Sequence, residues 1–220
     1  MPENSLFSLH TEEAEASLFD PANALWAQCE AAAIDRFWNG KSALRERGHS
    51  WPDLTHVRSL WGNEALFFYV ESWFDSLNVN PDWGGAGATL GLADKDVVEV
   101  FLRPERSDRY FEFEVSPLGQ RLDVCIVKPR VEVDPGWHSN LRVKAVLTEG
   151  EGVWRAFLRV PYQPMMATPP EVGVAWRLNL FRIAGQEPDR DYLAWRPTFT
   201  ERPDFHAPWA FGHLIFLDGA

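Results

Sequence analysis

Basic runs are missing from this chain of 220 residues, in which 32 Asp and Glu outnumber 21 Lys and Arg and leave a net charge of −11. Displacing counterions from a phosphate backbone needs a cationic stripe, so the composition argues against a nucleic-acid partner. It leaves neutral ligands open. Cysteine is nearly absent too. Cys29 and Cys125 stand about a hundred residues apart, which builds neither a disulfide framework nor a C-x-x-C zinc site. Both are expected to be small buried side chains with free thiols. No apolar stretch is long enough to span a bilayer, so no membrane partner is expected. The opening "MPENSLFSLHTEEAEASLF" lacks the basic start and apolar centre of a signal peptide. As written, the chain is expected to be soluble and cytoplasmic; a trimmed N-terminus would make it extracytoplasmic.

What the chain has in excess is aromatic surface, 11 Trp and 15 Phe. Such rings fill cores, and they also build the flat faces on which sugars stack. Residues 1–20 are polar and aperiodic, a lead-in to one domain over 21–220. Four alanines near Trp26–Ile34 allow one short helix. Otherwise short runs rich in Val, Phe, Tyr and Trp alternate with Gly, Pro, Asn and Asp, and predict strands at 57–61, 66–74, 97–103, 110–115, 122–128, 142–148, 153–160, 175–183, 192–195 and 213–217. Glu-Gly-Glu-Gly at 149–152 predicts a hairpin. The fold class is all-β, a two-sheet antiparallel β-sandwich.

Alternation also sorts side chains by face. Pairing 97–103 with 110–115 as a hairpin gives one apolar face of Val98, Val100, Leu102, Phe111, Phe113 and Val115. The reverse carries Glu99, Glu112 and Glu114 beside Arg103 and Tyr110. In 66–74, Phe67, Tyr69, Glu71 and Trp73 likewise oppose Leu66, Phe68 and Val70. Rings cover the C–H face of a pyranose while charged groups bond its hydroxyls, so a mixed face suits a sugar. A solvated sheet face, with Trp73 under a loop, would give the same alternation.

Several stretches together resemble the carbohydrate-binding module family 9-like domains. "DKDVVEVFLRP" (94–104) with "YFEFEVSPLG" (110–119) is similar to that family's central hairpin, and "VWRAFLRVP" (153–161) to its next strand. "WRLNLFRI", "YLAWRPT" and "PDFHAPWAFGHLIF" resemble its C-terminal part. The resemblance implies a β-sandwich that binds saccharide without catalysis, often joined to xylanases or other secreted glycosidases that break down polysaccharide. It implies a sugar-contacting Glu at Glu99, completed by Arg182 or Asn179. A clamp ring would come from near the C-terminus, where Trp195 and Trp209 are both candidates. The family's other clamp Trp falls at Ala93 here, and a common Glu falls at Phe157. Trp73 on its strand and Trp83 in the Gly-rich loop are the remaining ring candidates. Calcium, which β-sandwich sugar binders often use structurally, is the one metal the resemblance brings in; no cofactor is otherwise expected.

Catalysis has weaker support. Glu112 and Glu114 sit two apart on a strand, about 6.5 Å, near the lower limit for an inverting glycosidase pair. Every such pair on any strand would pass that test. His10, His49, His56, His138, His206 and His213 show no metal-ligand spacing. Met165 and Met166 lie in a Pro-rich loop, a poor place for the axial ligands that related haem-binding sandwiches use. His206, between Pro203 and Pro208, is expected to hold a rigid turn by bonding to backbone rather than to act in catalysis. The alternative to sugar binding is a structural or protein-interaction sandwich that has lost its site; a glycoside hydrolase stands third.

Overall fold

Alternating apolar and polar residues become fourteen strands in the computed structural model, which describes residues 4–43, 55–84 and 87–219. His49 and the centre of the Gly-rich loop, 85–86, lie outside the described residues. In chain order the strands are β1 (Ser5–His10), β2 (Ala32–Ile34), β3 (Arg36–Phe37), β4 (Thr55–Trp61), β5 (Ala65–Trp73), β6 (Val97–Arg103), β7 (Tyr110–Val115), β8 (Arg121–Lys128), β9 (Glu132–Asp134), β10 (Arg142–Thr148), β11 (Val153–Pro161), β12 (Ala175–Ala184), β13 (Asp191–Ala194) and β14 (Gly212–Leu217). Two short helices, α1 (Glu15–Leu18) and α2 (Ala24–Gln28), precede β2. All ten predicted runs are strands, and β10 and β11 form the expected hairpin. The expected helix is divided: α2 begins earlier, capped by the Asn23 side chain, and Ala32–Ile34 pairs with β4 instead.

Two expectations are corrected. The polar lead-in contains β1, which lies inside the sheet, parallel to both β14 and β4. Its signal is hidden because Ser8 takes an inward position beside Leu6, satisfied at 2.9 Å by Ser59 Oγ. The sheet is therefore mixed, and β1 makes it continuous: β10-β11-β5-β4-β1-β14-β12-β6-β7-β8-β9. The expected pair of separate antiparallel sheets is one sheet, curled so that its halves face each other. Phe68, Val70 and Trp154 from one half share a core with Val100, Phe113 and Leu180 from the other. No helix among the described residues is long and apolar enough to cross a membrane.

Both outer faces are covered. Over β5 and β11, Leu18 and Trp26 pack on Phe157, whose ring stacks on Tyr69 at 4.9 Å. Over β6, β7 and β12, the C-terminal segment brings Phe205 and Phe211 onto Phe101 and Phe181. Phe205 stacks on Phe181 with centroids 4.1 Å apart, worth about 0.5–1.5 kcal/mol beyond burial. Cys29 and Cys125 are both buried and free, as expected.

Candidate functional site

Register places the acids. Glu99 on β6 stands directly opposite Glu114 on β7, and Phe101 opposite Glu112. All three carboxylates thus share the outer face, where each offers an oxygen within 4.8 Å of the others. This face is not solvated: Glu99 and Glu114 are 2% exposed and Glu112 is 8% exposed. Burial holds Glu99 and Glu114 well above the usual carboxylate range, and the neighbouring carboxylates add to the effect. Burial likewise pushes Glu112 up to about 7. The Glu112 and Glu114 side chains are hydrogen-bonded to each other, and Glu114 Oε2 is buried with no hydrogen-bond partner.

Cations and rings close the site. Arg190 and Arg130 draw Glu99 partly back toward its ionised form. Arg190 is anchored on the Ala93 carbonyl, at the position where the family pattern has its Trp. Arg130 is ion-paired with Asp204, which also accepts the His206 backbone N–H at 2.9 Å. The His206 ring does not bond to backbone as expected. Its Nδ1 pairs with the Tyr110 hydroxyl at 2.8 Å, and its Nε2 lies 3.9 Å from Glu112. Burial, with Arg130 nearby, lowers the His206 pKa to about 4, so the ring is neutral at pH 7. The Tyr110 phenol is held protonated by burial and by Glu112. Its O–H can therefore donate to Nδ1, which leaves Nε2–H directed toward Glu112.

The other sequence candidates are dispersed. Trp83 packs against the cluster that covers this face, and Gln120 Nε2 holds its carbonyl at 2.8 Å. Asn179 shares the face, but its amide is spent on the chain at Arg196, donating to the carbonyl at 2.9 Å and accepting the N–H at 3.1 Å. Arg182 is opposite Val98 in register and so points inward, where Nη1 donates to Thr55 Oγ1 at 3.2 Å. The expectation that Arg182 joins Glu99 is corrected by that parity. Trp73 sits on the outer face of the other half, edge-on to His56 at 5.4 Å. Trp195 packs on the inner core, its ring so close to Gly212 that an added Cβ would approach it to 2.9 Å. Trp209 is 70% exposed and lines a separate cleft with Arg177 and His213. Sequence reasoning missed Phe205, Arg130 and Arg190 and gave His206 to the turn alone; all four reach the acids from loops distant in the chain. The "PDFHAP" turn held the only local signal.

No protein-family model matches the chain. Among curated proteins it is similar to UPF0462 protein C4orf33 of Homo sapiens, 31% identical over 121 residues, covering 52% of this chain and 56% of that protein. The Rattus norvegicus homolog is 31% identical over 137 residues, covering 56% and 63%. The chain thus spans less than two thirds of the length of these relatives. Among solved structures it is similar to a candidate carbohydrate-binding protein from Bacteroides uniformis ATCC 8492, with TM-score 0.76, 19% identity, and coverage of 97% of this chain and 99% of that one. Two structures of a carbohydrate-binding module family 9 from Caldicellulosiruptor kristjanssonii are similar at 12% identity. The cellotriose complex gives TM-score 0.64 over 98% and 95% of the chains, and the glucose complex 0.67 over 98% and 97%. The chain has the family 9-like carbohydrate-binding-module fold.

Proposed function

We propose that the protein binds a neutral saccharide, without catalysis, where Glu112 and His206 reach the solvent edge of the acidic cluster. The observation that carries this reading is the clustering of three buried carboxylates, one of which, Glu114, has a buried oxygen with no hydrogen-bond partner. Sugar hydroxyls are donors of the kind such a cluster lacks. The fold, shared with modules solved in complex with cellotriose and glucose, supports the same reading. Nothing in the cluster separates an acid from a base across an open gap, as hydrolysis would need. Any service to polysaccharide breakdown, xylan included, belongs to this proposal as an extension.

Isothermal titration with glucose and cellotriose tests it. Saturable binding is expected, weakened by up to about tenfold in Glu99→Gln because a carboxyl partner of the saccharide hydroxyls is lost. The 2% exposure of Glu99 and the missing ring at Ala93 favour a second reading, a sandwich that has kept the fold without the sugar site. Absence of saturable heat with either saccharide would select that reading.

A further inference from the structure

At the far end of the same outer face the charge reverses. Arg103 on β6 stands directly opposite Arg177 on β12, and Arg177 in turn opposite His213 on β14. Like charges directly opposed destabilise a ladder, and among the described residues no carboxylate pairs with Arg103, Arg177 or His213. Arg177 touches His213 Nε2 at 3.2 Å and donates to the Phe211 carbonyl, while its Nε–H is buried without a partner. Desolvation and Arg103 lower the Arg177 pKa from its ordinary value.

Arg177 and His213 line an open cleft of about 560 Å³, which also reaches Arg196, Phe199 and Trp209. Phe199 and Trp209 are 73% and 70% exposed, and neither ring stacks on another among the described residues. The Phe199 ring is held out at a cost. Its φ of 53° is left-handed, a conformation that disfavours a bulky side chain. Its N–H donates to the Trp38 carbonyl at 2.8 Å, and Trp38 Nε1 donates to the Thr200 carbonyl at 3.2 Å. Beneath it Gly40 is also left-handed, and any Cβ there would strike the ring. Strain that the surroundings enforce is a feature of ligand-clamping positions.

We infer that this cleft is a second binding site, for a sugar acid: a carboxylate at Arg177 and His213 and a pyranose face against Trp209 or Phe199. The anion supplies the charge and the acceptor that the row lacks. The chain's net charge of −11 repels long polyanions, so a single acidic sugar unit fits better than a nucleic-acid strand. Arg103, opposite Arg177, stands about 13 Å from Glu99 along β6, four residues at strand rise.

The test is isothermal titration of the full chain with D-glucuronate, D-glucose and inorganic phosphate at matched ionic strength. Glucuronate is expected to bind saturably. Arg177→Gln and Trp209→Ala should each weaken it roughly tenfold or more. Should Arg177→Gln fail to fold, the exposed Trp209 carries the test alone. The inference is overturned if glucuronate does not bind, or if phosphate binds as tightly and Trp209→Ala has no effect on glucuronate. Failure of glucose alone would count against the neutral-saccharide reading and leave this one standing.

Discussion

Two glutamates of β7 and one of β6 lie buried together at one end of an outer sheet face, and at the other end Arg103, Arg177 and His213 line up across three strands near open solvent. The acidic end is roofed by Phe205 and Phe211, and burial raises its carboxyls above the ordinary range. At the basic end Arg177 and His213 line an open cleft. Strand alternation builds both ends equally; what separates them is the loop cover, and burial then decides whether a charge is retained or neutralised.

Removing the roof should break this difference most strongly. Phe205→Ala deletes the ring stacked on Phe181 and is expected to cost about 3–5 kcal/mol in denaturant unfolding, as core Phe truncations do. A cost under about 1 kcal/mol would mean that the roof does not set the burial of the acids.

A smaller effect should follow from neutralising one acid. Glu112 is raised to about 7 when folded and is near 4.5 when unfolded, so its contribution to stability is full below about pH 4.5 and is lost as pH rises through 7. His206 works oppositely: lowered to about 4, it stabilises above about pH 6.5 and that contribution is lost as pH falls toward 4. The alkaline limb therefore belongs to the glutamates. Glu112→Gln should raise stability at pH 8 by on the order of 2 kcal/mol and flatten the fall in melting temperature between about pH 4.5 and 7. An unchanged slope would place the titrating group elsewhere.

At the basic end, Arg103→Gln removes one of two opposed guanidinium groups. It should stabilise by about 0.2–1 kcal/mol at low salt, with the gain shrinking as salt is added. Trp209→Ala should change stability by less than about 0.5 kcal/mol, because its ring is largely in solvent. Trp195→Ala, wedged beside Gly212, should instead unfold early. Equal losses in the two Trp variants would erase the distinction between an exposed and a structural ring.

Much of this face was legible in the sequence. Alternation in 97–103 and 110–115 placed Glu99, Glu112 and Glu114 together, because a hairpin's register follows from period two. The same rule applied to β12 would have turned Arg182 inward, since Leu178 and Leu180 share its parity. Phe205, His206, Arg130 and Arg190 carry no periodic signal: they stand on loops, and only tertiary packing brings them to the acids. β1 escaped because an inward Ser8 interrupts the apolar pattern, and a serine partner on β4 compensates for it.

The most direct test is a carbon-detected NMR titration of the glutamate side-chain carboxyls, without and with cellotriose. Midpoints above the ordinary carboxylate range are expected for Glu99, Glu112 and Glu114, with Glu112 near 7. Saccharide hydroxyls donating to these groups favour the ionised form, so cellotriose should shift the midpoints downward. Glutamates that all titrate near 4.5 and do not respond to cellotriose would contradict both the buried acidic cluster and its role in recognising sugar.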